Sequence, residues 1–165
     1  MRRRLLVSGL VAARFAAGDA ARAQTDDPAG PQPELPKEHL VIRTRDGVSH
    51  DFNVEMARTP DQQTVGLMFR PSVPAEGGML FVWQGVQDSS MWMRNTISSL
   101  DMVFINADGT IRRVVHDTTP RSLAVISSNG PVRATLELQA GITAKLGIHA
   151  GDTVVHPLFK ATGAG

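Results

Sequence analysis

The segment from Leu100 to Asp117 constrains the fold more than any other part of the chain, and its sequence is LDMVFINADGTIRRVVHD. Two runs rich in Val, Ile and Phe flank the dipeptide Asp108-Gly109, which is typical of a tight turn. The pattern predicts a β-hairpin. Because an isolated hairpin is marginally stable in water, further strands or a second layer must cover it. The chain is therefore expected to fold around an antiparallel sheet.

Further short runs have the composition of strands, namely HLVIRT, VSHDFNVEM, MLFVW, SSMWM, VRATLEL and TVVHPL. The first two are joined at a turn signal, Arg45-Asp46-Gly47. MLFVW and SSMWM are predicted as separate strands on either side of residues 84–88. Pro157 places the last strand at an edge or an end of the sheet. The set predicts a single α+β domain, mainly antiparallel β, with a barrel-like or two-layer sheet and two short helices.

The two helices are predicted from their end signals. Thr59 suits the N-cap of the first helix, Pro60 suits its first turn, and Gln62 completes a capping box. Gly66 costs about 1 kcal/mol relative to alanine inside a helix, which predicts a close approach to a neighbouring strand. The segment AGITAKLG predicts a helical turn that ends at Gly147, where glycine suits a left-handed C-cap.

The N-terminal residues have the layout of a secretory signal peptide. Arg2, Arg3 and Arg4 precede an apolar run, and a small-residue cleavage site follows at residues 21–23. The predicted boundaries are a signal peptide over 1–23, a Pro-rich disordered linker over 24–37, a single domain over 38–160 and a tail over 161–165. The protein is therefore expected to be periplasmic or secreted, by the general secretory route or by a twin-arginine route.

Charge and cysteine content exclude several classes of function. The formal charge of the chain is +1, from 17 basic and 16 acidic residues, and residues 1–23 hold five arginines and one aspartate. Their removal leaves 12 minus 15, or −3. This balance predicts no nucleic-acid partner and no membrane anchor after signal cleavage. The chain has no cysteine, so it has no disulfide and no thiolate chemistry.

Three blocks together resemble a known family. They are VEMARTPDQQTVGLMFRPSVPAEGGMLFVW over 54–83, MWMRNTISSLDMVFINADGTI over 91–111 and LELQAGITAKLGIHAGD over 136–152. In order and spacing they resemble the domain of unknown function 192 family, whose members are often exported. The resemblance implies a compact β-rich domain with small helices. It implies no biochemical activity.

Two residues depart from the pattern that the resemblance implies. Arg94 stands where lysine is common, and Ser99 stands where proline is common. An arginine keeps the positive charge, but its guanidinium forms no Schiff base. Arg94 therefore favours charge recognition or hydrogen bonding over amine chemistry.

The sequence around Arg94 predicts a ligand pocket. In a strand, Met91 and Met93 point to one face and Trp92 to the other. Asn95 and Thr96 follow in a loop, where they are expected either to bond the local backbone or to orient a polar or anionic ligand held by Arg94. Seven residues are predicted to form the site with that ligand, or with an envelope protein as partner: Trp92, Arg94, Asn95, Thr96, Asp101, Glu55 and Arg70.

In this interpretation Asp101 or Glu55 pairs with Arg94. The chain is expected to be a monomer, or to associate weakly, and to act without a cofactor as a non-catalytic binding or accessory module.

Two alternatives remain open from the sequence. One is a small hydrolase that uses His116, Asp117 and a hydroxyl or an acidic pair, although no nucleophile-elbow pattern occurs. Glu137, in TLEL, is expected to project from a half-buried strand. The other alternative is a periplasmic Cu(I)-binding protein, because thioether ligands select Cu(I). Its candidate ligands are Met56, Met68, Met79, Met91, Met93, Met102 and His116.

Overall fold

The computed structural model describes residues 27–159, and its main element is one seven-stranded sheet. The strands are β1 (Lys37–Arg43), β2 (Ser49–Ala57), β3 (Met79–Met91), β4 (Leu100–Ile105), β5 (Ile111–Val115), β6 (Ile126–Gln139) and β7 (Thr153–Val155). Two short helices, α1 (Pro60–Val65) and α2 (Ile142–Leu146), and a 3-10 turn (Pro157–Phe159) complete the described part.

The strand order in the sheet is β5-β4-β6-β3-β2-β1-β7. All neighbouring pairs are antiparallel except β2 and β3, which run parallel over three residue pairs. The Asp108-Gly109 turn joins β4 to β5, so the predicted hairpin is confirmed. The prediction of two strands around residues 84–88 is wrong. β3 is one strand of 13 residues because β6 remains its partner on both sides of two register shifts.

The sheet nearly closes on itself. Its outer strands β5 and β7 approach through a bridge between Thr110 and Thr153. The Ile111 amide donates to the Asp152 carbonyl at 2.7 Å, and the Val154 amide donates to the Gly109 carbonyl at 2.8 Å. These bonds satisfy edge groups that would otherwise be open to another chain. The predicted mainly antiparallel, barrel-like α+β domain is therefore confirmed.

Apolar side chains pack on both faces of the central strands. The interior cluster takes residues from all seven strands, among them Leu40, Phe52 and Leu136. A second cluster covers the opposite face of β3, β4 and β6, and it includes Phe81 and Phe104. Because both faces are covered, every residue of β4 is buried.

The start of α1 and the end of α2 are as predicted, but Gly66, predicted inside the first helix, is its C-cap, because α1 ends at Val65. Thr59 and Gln62 form the capping box of α1, and Gly147 ends α2 in the left-handed conformation. A Cβ at Gly66 would lie 2.9 Å from Phe81 Cζ, and its φ is +50°. The predicted close approach of Gly66 to a strand is confirmed, and it brings the end of α1 down onto β3.

Residues 27–36 have no regular secondary structure and lie along the domain. The Gln32 side chain donates to the carbonyls of Gln62 and Gly66, at 3.0 and 2.9 Å, and Leu35 packs against the second cluster. The predicted signal peptide and tail lie outside the described residues. Within residues 27–159, no helix has the length and apolarity needed to cross a membrane.

Candidate functional site

A cavity of about 380 Å³ lies between α1 and the second face of the sheet. One wall is α1 with the three residues that follow it, and the other is formed by β3 and the start of the loop after it. The cavity is lined by Pro60, Gln63, Thr64, Val65, Gly66, Leu67, Met68, Phe81, Trp83, Ser90, Met91, Trp92, Thr96 and Glu137. Its size is in the range of small-molecule sites.

Among the described residues, Glu137 supplies the only ionisable side chain of this lining. It lies on β6 in register between Met79 of β3 and Met102 of β4, and it is 4% exposed. No hydrogen bond to its carboxyl is found among residues 27–159. Burial raises the pKa of Glu137 to about 8. The carboxyl is therefore mostly uncharged at neutral pH.

Aromatic rings form the sides of the cavity. The rings of Phe81 and Trp83 lie 6.0 Å apart, tilted by 31°. Trp92 lines the opening and is 46% exposed. The buried indole nitrogen of Trp83 has no hydrogen-bond partner within the described residues. Because buried polar groups in folded proteins are nearly always paired, the unpartnered indole nitrogen of Trp83 at this cavity requires an explanation.

Side-chain bonds fix α1 at the cavity wall. The Gln63 amide donates to the carbonyl of Ala57 on β2 at 3.1 Å and to that of Val82 on β3 at 2.8 Å. Gln32 bonds the other side of the same turn. A helix of six residues is not stable alone, so these contacts hold it and keep the cavity open.

The residues predicted at positions 92–96 divide between the cavity and its surroundings. Trp92 and Thr96 line the cavity. Arg94 lies over the Trp92 ring, 5.3 Å from its centroid, and its guanidinium pairs with Asp27. Asn95 has a left-handed φ of 54°, and its carbonyl accepts from the Phe69 amide at 2.9 Å. Asn95 therefore connects the loop to the chain after α1.

Asp101 does not pair with Arg94. Its carboxylate is fully buried and accepts bonds from the backbone amides of Asp117, Gly141 and Thr143, each at 3.0 Å, and from the Thr143 hydroxyl at 2.5 Å. Burial raises the pKa of Asp101, but these hydrogen bonds together hold it below its usual value. Asp101 fixes the start of α2, which has no side-chain cap of its own.

Glu55 does not pair with Arg94 either. Its two carboxylate oxygens accept from the Arg70 guanidinium at 2.8 and 3.0 Å, and one also accepts from the Leu35 amide at 2.8 Å. Glu55 is buried, and this bidentate pair satisfies it. The predicted pairing of Asp101 or Glu55 with Arg94 is wrong, because each carboxylate already has nearer donors.

Comparison with protein families gives one match that spans most of the chain. The family model described as DUF192, Uncharacterized ACR, matches residues 41–156. The chain belongs to the DUF192 family. The matched range contains every strand except the start of β1, and it contains the whole lining of the cavity.

Two solved structures are similar to this DUF192 chain. A proposed transcription regulator from Sinorhizobium meliloti is 40% identical, with a TM-score of 0.73 over 75% of this chain and 96% of that chain. A protein of unknown function from Novosphingobium aromaticivorans is 32% identical, with a TM-score of 0.72 over 88% of this chain and 100% of that chain. No curated protein matches the chain.

The groups named for a hydrolase are partly brought together in this DUF192 domain. His116 Nδ1 lies 2.9 Å from the Thr143 hydroxyl, which donates to Asp101. Thr143 is fully buried, however, so no substrate can reach its oxygen. Asp117 contributes its backbone amide to Asp101. The cluster anchors α2, and it holds no accessible nucleophile.

The methionines named for copper are distributed through the packed clusters. Met79, Met91, Met93 and Met102 belong to the second cluster, and Met56 belongs to the interior one. Met93 sulfur accepts from the Thr118 hydroxyl at 3.2 Å. Met68 and Met91 line the cavity. Among residues 27–159, no group of three or more His, Asp or Glu side chains is placed to hold a metal ion.

Glu137 is the residue that the sequence-based site left out. The sequence predicts that it projects from a half-buried strand, but it is buried because its register neighbours Met79 and Met102 belong to the second cluster, which the chain after α1 joins through Leu67 and Val73. Leu136 and Leu138 beside it face the interior cluster. The sequence contains one signal of this burial. The glutamate lies between two leucines, in a strand whose neighbouring strands are apolar on both faces.

Proposed function

We propose that this domain is a non-catalytic binding module whose small-molecule ligand enters the cavity between α1 and β3. One observation carries the proposal. An acidic side chain, Glu137, is buried at the cavity without a hydrogen-bond partner among the described residues. A ligand that bonds this carboxyl would supply the partner that the chain does not.

The energetic cost of Glu137 supports a role in binding. Burying a polar group without a partner costs about 1 to 3 kcal/mol in proteins, whereas an apolar residue there would pack against Met79 and Met102 at no such cost. Buried groups with strongly shifted pKa values concentrate at functional sites.

The lining supports binding better than catalysis. General acid–base or nucleophilic chemistry requires a second group within reach of the first, such as an imidazole or another carboxylate. Glu137 is the only ionisable side chain among the described residues that line the cavity, so no second acid or base accompanies it and the hydroxyls of Thr64, Ser90 and Thr96 there.

The same lining defines the ligand more closely than the sequence did. A polar or anionic ligand held by Arg94 was expected, but Arg94 pairs with Asp27 and Arg70 pairs with Glu55. Within residues 27–159, no basic side chain lines the cavity. An anion would therefore meet a carboxyl and no counter-charge. An apolar body with a neutral or positively charged polar group fits this lining better.

The proposal is tested by a fragment screen that follows the melting temperature, since a ligand of the folded state raises it. Each hit is repeated on Ser90→Phe, which places a ring in the cavity, and on Gln87→Phe, an exposed position of β3 outside the lining. We expect hits that stabilise the wild type and Gln87→Phe but not Ser90→Phe. Absence of hits, or hits equal in all three proteins, would contradict the proposal.

We also propose that the domain is exported to the periplasm or secreted. The support is the sequence of residues 1–23, a basic stretch, an apolar run and a small-residue site. Mass spectrometry of the protein recovered from cell fractions tests it. An N-terminus at Gln24 in the periplasmic or culture fraction is expected. An intact N-terminus in the cytoplasmic fraction would contradict export.

A further inference from the structure

We propose that the ligand of the cavity is a small organic cation, an alkylammonium or quaternary ammonium group seated between the aromatic rings and the Glu137 carboxylate. This inference rests on the binding function proposed above and names its ligand class. It depends on the charges of the lining, on its aromatic walls and on the isolation of Glu137.

The described lining of the cavity can carry negative charge but no positive charge. Glu137 is its single ionisable group, and no basic residue of the described chain lines it. The basic residues nearest in sequence to the lining, Arg58, Arg70 and Arg94, are paired with Glu38, Glu55 and Asp27. A cation is the one ligand charge that this lining attracts, because it would replace the counter-ion that the fold does not provide.

The walls suit a cation with an apolar surface. Phe81, Trp83 and Trp92 line the cavity, and tryptophan has the most favourable ring face for a cation. Trp92 already holds a cation at its surface, where the Arg94 guanidinium lies 5.3 Å from the ring centroid. Methylated or alkylated ammonium groups are recognised elsewhere by such aromatic surroundings, because the negative ring faces attract the cation.

Binding of a cation is coupled to loss of a proton from Glu137. The carboxyl has a pKa of about 8, raised by burial alone. Its register neighbours Met79 and Met102 carry no charge, and Glu55, one strand beyond Met79, is paired with Arg70. No other ionisable group of α1, β3 or residues 91–96 lines the cavity. At neutral pH the bound cation therefore selects the ionised minority of the protein.

Choline and its uncharged isostere 3,3-dimethylbutan-1-ol separate the alternatives. Calorimetric titrations at pH 6.5 and pH 7.5 use the wild type, Glu137→Gln and Ser90→Phe. Because the ionised fraction of a group with a pKa of about 8 rises about eightfold over this interval, choline affinity for the wild type should rise about eightfold. Titrations at pH 7 in two buffers of different ionisation enthalpy should show release of about 0.9 proton per choline.

The outcomes distinguish the proposal of a cationic ligand from the binding function on which it rests. Two results support both the cation proposal and the binding function. The choline affinity of Glu137→Gln does not change with pH, and Ser90→Phe does not bind choline. If the isostere binds and choline does not, the proposal of a cationic ligand is wrong, and the cavity is still a binding site. Failure of both probes also overturns the cation, and the fragment screen with Ser90→Phe and Gln87→Phe then decides the binding function separately.

Discussion

The carboxyl of Glu137 and the indole of Trp83 line one cavity, and neither Glu137 nor Trp83 Nε1 has a hydrogen-bond partner among residues 27–159. Elsewhere in the domain the buried carboxylates are well satisfied. Asp101 accepts four bonds, and Glu55 accepts a bidentate arginine. The contrast separates carboxylates whose hydrogen bonds stabilise the fold from one that has no such bond among the described residues.

Glu137 should make the stability of the domain fall as the pH rises. Its pKa is about 8 in the folded protein, above the ordinary value of 4.5, so the folded state retains a proton that the unfolded state has lost. The proton on Glu137 therefore stabilises the folded state. This stabilisation is fully present below pH 4.5 and is lost as the pH rises through 8. Over that window the wild type should lose up to about 4 kcal/mol of unfolding free energy relative to Glu137→Gln.

Urea denaturation of both proteins at several pH values measures this difference. The other ionisable groups are common to the two proteins, so their contributions cancel. A difference that stays constant from pH 5 to pH 8 would show that Glu137 titrates as a solvated glutamate.

Asp101→Asn should destabilise the domain without affecting the cavity. An amide in place of the carboxylate loses an acceptor and sets an NH₂ group against backbone N–H donors, which costs about 2 to 4 kcal/mol. Because the pKa of Asp101 is lowered in the folded state, the contribution of its charge is present above pH 3.8 and is lost as the pH falls through the folded pKa. Denaturation at pH 7 checks the loss, and wild-type stability in Asp101→Asn would contradict the role assigned to this residue.

Gly66→Ala should displace the end of α1 from β3. The new Cβ would lie 2.9 Å from Phe81 Cζ, and the positive φ of 50° is unfavourable for alanine, so we expect a loss of about 1 to 3 kcal/mol. Gly85→Ala is the matched control, since a Cβ at Gly85 meets nothing within 4 Å. Equal melting temperatures for the two variants would contradict the close packing of Gly66.

Local structure could be predicted from the sequence because its causes are local. The Asp108-Gly109 hairpin, the capping box at Thr59 and the left-handed end of α2 at Gly147 depend on residues that are close in the chain. Strand alternation also put Met91 and Met93 on one face and Trp92 on the other, and both methionines are buried whereas Trp92 is exposed.

The partners of the charged residues could not be predicted in the same way. Asp101 is bound by amides near position 141 and Glu55 by Arg70, contacts between segments 15 to 42 residues apart. The burial of Glu137 depends on the second cluster, which includes Leu67 and Val73 from more than sixty residues earlier in the chain. Side-chain alternation within one strand shows which residues share a face, but it does not show what covers that face.

The most direct test is a titration of the Glu137 carboxyl carbon by ¹³C NMR in protein labelled at glutamate, with Glu137→Gln used to assign the signal. We expect a midpoint near pH 8 in the free protein, as burial of an unpartnered acid at the cavity requires. A midpoint near 4.5 would show a solvated carboxylate and would contradict the assignment of this cavity as the binding site.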